Sequence, residues 1–207
     1  MVNVVQVSED RAAERALALG YAPADRRDAL TTLFTLDARL REIVRVARDP
    51  LIGLMRLTWW REALERLDTA PPPAEPLLRA LASTVLPWGV SGAALAALVE
   101  PWELVLDDDD LPGAARQRGE GLFALAAQVL GADDARVAVI GRAWAALDWG
   151  CDPPATGLEG SYQVAWARSL RPLGALGLLA RFDVAGRMRP GDPRRVARLL
   201  LHRLTGR

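Results

Sequence analysis

The chain has 207 residues, 51% hydrophobic and 25% charged, and its 26 basic residues balance 26 acidic ones; such a composition suits an ordinary soluble globular protein with one sizeable core. Every basic residue is Arg, and Cys151 and His202 are each the only residue of their kind. These counts exclude a lysine Schiff base, a Lys-bearing phosphate loop, an intrachain disulfide, a Cys-cluster zinc site, and Ser/His/Asp or two-His arrangements.

Any catalysis would therefore rest on carboxylates, Arg, Tyr, or a metal held by Asp and Glu. The opening stretch, MVNVVQVSEDRAAER, carries acids where a signal peptide would place an apolar run, and nowhere do 18 apolar residues follow one another. A cytoplasmic location is expected, with one domain over 1–207.

In chain order, Ser8 followed by EDRAAERALAL reads as a capped first helix ended by Gly20. Pro23 suits the first turn of a second helix running to about residue 47. In that helix Leu33, Leu36, Leu40, Ile43, Val44 and Ala47 repeat at three and four residues, with Asp37, Arg41 and Arg48 along the edge of the stripe. Asp37, Arg41 and Arg45 themselves stand four residues apart, and Asp37 and Arg41 are spaced for an i,i+4 pair.

A third helix is expected over 51–67, LIGLMRLTWWREALERL. Ile52, Met55, Trp59 and Ala63 lie on one side, and Leu57, Trp60, Leu64 and Leu67 on the next. So wide an arc predicts a buried, central helix. Arg56 falls within it, so a carboxylate or an anionic ligand is expected beside its guanidinium; Asp37 and Glu103 are the candidate acids. Two readings stay open for Arg56, a structural ion pair or an anion-holding side chain in a central pocket.

Beyond the proline-rich loop TAPPPAEP, helices are expected over 76–86, 92–106, 114–130, 134–149, 160–187 with a break at Pro172, and 193–204 with Asp192 as its cap. The elements predict an all-α bundle. Glu100, Glu103 and Asp107 to Asp110 put six acids and no base in one stretch, which reads as a solvated helix end or as displaced metal ligands. The segment 187–207 holds seven Arg against Asp192 alone. Its helix places Arg194, Arg195, Arg198, His202 and Arg203 around Val196, Leu199, Leu200 and Leu204; it suits either the surface of an anionic membrane or the closing helix of a bundle. The chain has no other coherent basic face, so nucleic acid is not an expected partner.

The stretches YAPADRRDALTTLFTLDARLREIV and PLIGLMRLTWWREAL, with the tail ARLLLHRLTGR, resemble the squalene and phytoene synthase family. The resemblance is to a short bacterial branch, similar to the mitochondrial assembly factor for respiratory complex I. It implies an isoprenoid-synthase-like helix bundle, shortened. In members that catalyse, two facing Asp-rich helices hold Mg²⁺, which neutralises a prenyl diphosphate as it leaves.

This chain departs from that pattern. The first Asp motif aligns with Arg41, Glu42 and Arg45, and the second with DPPAT, where Asp152 stands alone. The resemblance thus implies a protein without catalytic residues, metal or cofactor, acting as an assembly factor or an isoprenoid- or lipid-binding scaffold. Asp37, Arg41, Arg45 and Arg56 are the candidate anion or diphosphate ligands. A respiratory-complex partner is expected, as is peripheral contact with the inner membrane through Arg194, Arg195, Arg198 and Arg203. The alternative is a prenyltransferase of the phytoene or squalene synthase kind, which would need Mg²⁺.

Overall fold

Leu30, Leu33, Leu36 and Leu40 are fully buried in the computed structural model, which describes residues 4–107, 110–153 and 157–207. They lie on α2 (Ala24–Val46), which follows α1 (Val4–Leu19) after a turn at Gly20 and begins directly behind Pro23. Pro50 and the Asp49 carboxylate, which accepts from the Leu51 N–H, start α3 (Pro50–Glu65), and a 3-10 turn at Arg66–Asp68 closes it. Then come α4 (Pro76–Thr84), α5 (Gly92–Ala96), α6 (Glu100–Asp107), α7 (Leu111–Val129), α8 (Arg136–Asp148), α9 (Arg171–Ala185) and α10 (Pro193–Thr205). The described residues form an all-helical bundle without strands, as the isoprenoid-synthase-like class requires.

A close crossing joins α7 to α8. Gly119 and Gly141 meet backbone to backbone there, and a Cβ on either would strike the carbonyl of the other. Small residues at the crossing let the two axes approach closely. The helix buried along nearly its whole length is α9, where every residue from Pro172 to Ala180 is enclosed. It packs against α8, α1 and α10.

Several sequence expectations change. The first helix starts at Val4, so Ser8 lies inside it instead of capping it. The helix expected over 92–106 divides at Ala97, Leu98 and Val99, and Pro101, which lacks an N–H, sits in the first turn of α6. Residues 160–170 form turns and two 3-10 segments, and Pro172 opens α9 instead of interrupting a longer helix.

The third helix is not central. Gly53, Leu57, Trp60, Ala63 and Leu64 face inward, but Leu51, Ile52, Met55 and Trp59 are exposed, Leu51 and Met55 by 64% and 66%. Only one side of the wide apolar arc meets the bundle. The other faces out.

Candidate functional site

Where α2, α7 and α8 meet, the bundle centre is charged. Arg118 of α7, 1% exposed, donates through Nε and Nη2 to the two oxygens of Asp37 at 2.7 and 2.6 Å. Its Nη2 also lies 2.8 Å from Asp148, the last residue of α8. Asp148 in turn accepts from Arg41 of α2 and, at 3.1 Å, from Arg15 of α1. Three guanidinium groups thus surround two carboxylates.

The aromatic shell explains how such a charge is tolerated. Trp102 and Trp144 stand with ring centroids 4.7 Å from the Arg118 guanidinium carbon, and Trp149 at 5.0 Å. Phe34 and Phe123 pack edge-on or tilted against Trp144. A planar, weakly hydrated guanidinium gains from indole faces, and a bidentate carboxylate recovers much of what desolvation costs. Burial pulls the Arg118 pKa down, but Asp37 and Asp148 outweigh it and the net shift is upward. Burial likewise pushes Asp148 up, while Arg118, Arg41 and Arg15 together hold it below the usual carboxylate range.

The four candidate ligands do not converge. Asp37 and Arg41 join this network but turn to different helices instead of pairing with each other. Arg45 lies in solvent, bonded to Glu42 through Nε and Nη2 at 2.8 and 2.7 Å. Arg56 was expected to be buried against an acid. Instead it is exposed, beside Arg39, Glu42, Val46 and Trp59 in a shallow groove between α2 and α3. The acid offered to it, Glu103, accepts from Arg61 at 3.0 Å, and burial raises its pKa. Of the acidic stretch, Glu100 accepts from Gln117, and Asp110 caps α7 through the Gly113 N–H. Asp108 and Asp109 lie outside the described residues.

Arg118 was not singled out by sequence, although a signal existed. It shares the inward row of α7 with Ala114, Ala115 and Leu122, at spacings of three and four. Like Arg56 it is a charge within an apolar helical row, and here the row does face the core.

A divalent cation needs several carboxylate oxygens aimed at one point. Asp37 and Asp148 aim theirs at guanidinium groups, and Asp152 is exposed in the segment after α8. Residues 154–156, the rest of the second motif, lie outside the described residues. No group of three or more His, Cys, Asp or Glu among the described residues is placed to hold a metal ion. Among the described residues, those at the aligned motifs therefore do not fit Mg²⁺.

A second ion cluster fixes α10. Arg195, 1% exposed, bonds Asp183 at 2.6 Å and lies 2.9 Å from Glu14. It points into the bundle, which corrects its assignment to a membrane-facing row. His202 is also fully enclosed, and its Nε2 lies 3.2 Å from the Arg171 carbonyl. Asp192 caps this helix, as expected, through the Arg194 N–H.

Residues 9–112 match the family model of squalene/phytoene synthase. The matched stretch carries Asp37 and Arg41 but ends before Arg118 and Asp148. No curated protein and no solved structure matches the chain.

Proposed function

Because the chain belongs to the squalene/phytoene synthase family, we propose that it is a member without prenyl-transfer activity, which uses the family's helix bundle as a scaffold. The observation that carries this reading is the ion network of Arg118, Arg41 and Arg15 on Asp37 and Asp148. Two acidic helices repel each other until cations are placed between them. Here Arg41 brings the cation on α2 itself, and α2 and α8 attract without a metal. Arg118 and its three indoles fill the intervening space, so an isoprenoid chain would have to displace them.

A scaffold works through its surface. The exposed row Leu51, Ile52, Met55 and Trp59 on α3 is of the kind that marks a protein-binding face. The setting we propose is assembly of a respiratory complex, on the likeness of the sequence to the complex I assembly factor. Co-purification from the native cell tests that setting; a partner set without respiratory-complex subunits would overturn it.

The loss of catalysis is tested with Mg²⁺ and farnesyl or geranylgeranyl diphosphate. Neither condensation product nor released diphosphate is expected, because the leaving group lacks metal stabilisation. Sustained turnover abolished by chelation would establish the prenyltransferase reading in its place.

A further inference from the structure

Helix α10 is held by one narrow side, Arg195, Leu199 and His202, which leaves the opposite side of the helix without a partner. At 100° per residue, Ala197, Leu200, Leu201 and Leu204 fall on that opposite side, with Val196 at its margin. Leu200, Leu201 and Leu204 are exposed by 46%, 45% and 76%. Arg194 and Arg198 flank the row on one side and Arg203 on the other, all exposed. Next to it, Leu200, Leu204 and Arg203 line an open cleft with Tyr21, Pro23, Arg168 and Arg171.

The charged side chains on the two flanks of this ridge, Arg194, Arg198 and Arg203, are of one sign. Of the seven Arg in 187–207, only Arg195 is neutralised within the bundle; Arg187, Arg189, Arg194, Arg198, Arg203 and Arg207 are exposed. The one acid of the segment, Asp192, is occupied as a helix cap.

We propose that the outer face of α10 docks on an anionic lipid bilayer, with its leucines at the headgroup–acyl boundary and the flanking arginines on lipid phosphates. An apolar ridge one helix wide with cations on both flanks matches the depth profile of such a surface. No helix among the described residues is long and apolar enough to cross a membrane, so the contact is peripheral. A two-fold dimer through this face would oppose Arg to Arg, and nucleic acid would gain nothing from the leucines. This inference goes beyond the scaffold reading and does not depend on it.

Sedimentation with phosphatidylcholine vesicles, with and without phosphatidylglycerol, tests it. Binding is expected only to the anionic vesicles and should weaken as salt is added. Leu200→Ser with Leu204→Ser should reduce affinity about tenfold or more, and Arg194→Gln with Arg198→Gln about tenfold. All four side chains are exposed, so both variants should keep the wild-type melting temperature. Three results would each overturn the proposal: no binding by wild type at low salt, unchanged binding by the leucine variant, or a wild-type dimer that the leucine variant turns into a monomer.

Discussion

Arg118 and Asp37, 81 residues apart in sequence, form a two-pronged ion pair in the middle of the bundle, with both contacts under 2.8 Å. Arg118→Met would leave Asp37 buried without its cation, at a cost of about 3–5 kcal/mol. Asp148 would still hold Arg41 and Arg15. Adding Asp37→Leu to Arg118→Met should therefore recover part of the loss, because the stranded charge is removed with its partner. Urea unfolding of the two variants measures the difference; a double variant no more stable than Arg118→Met would show that the pair is not an energetic unit.

Arg41 and Arg45 should respond differently to the same change. Arg41→Asp sets a carboxylate against Asp148 and is expected to cost about 1 kcal/mol or more, since its partner is largely buried. Arg45→Asp, in solvent beside Glu42, should cost less than about 0.5 kcal/mol. Thermal melts with and without Mg²⁺ check both the ranking and the absence of a metal site. A melting temperature raised by Mg²⁺ in Arg41→Asp would mean that the substitution had remade one.

Gly119→Ala and Gly141→Ala each place a methyl group into the facing backbone, where neither partner is a flexible side chain. The α7–α8 crossing must open, and overpacking of this type costs about 1–3 kcal/mol. Gly→Ala raises the helical propensity of each helix by about 1 kcal/mol, so in an exposed position the change would be stabilising. A stabilised variant in calorimetry would show that the crossing is looser than its geometry implies.

His202 gives a pH signature. Burial lowers its pKa below the ordinary value of 6.5, so the unfolded chain binds the proton more readily than the folded one. Stability from this residue is complete above that value and is lost as the pH falls below it. Glu14 and Glu103 work in the opposite sense, because burial raises both and their contribution falls as pH rises above 4.5. His202→Gln isolates the histidine. Between about pH 7.5 and pH 5.5 its melting temperature should change less than that of wild type; an equal change in both would remove His202 as the source.

Local chemistry was readable from the chain. The stripe Leu33, Leu36, Leu40 and Ile43, the stop at Asp49–Pro50 and the cap at Asp192 depend on neighbours within a turn or two, and each is where the sequence puts it. Even there, the position of a proline within its turn decided whether a helix broke, as expected at 172, or began, as found. The likeness of residues 21–67 to squalene and phytoene synthases was equally legible, since it rests on residue order alone.

The centre of the site was not. Arg56 and Arg118 both lie in apolar helical rows, and helical spacing gives them the same description. One ends in solvent because half of α3 has no neighbour, the other in the core because α2 and α8 bring Asp37 and Asp148 to it. A row of charges on one helix does not say which helix will answer it. Burial of a charge depends on a partner's position in space, and that position is set by the packing of α7 on α8, which no local pattern contains.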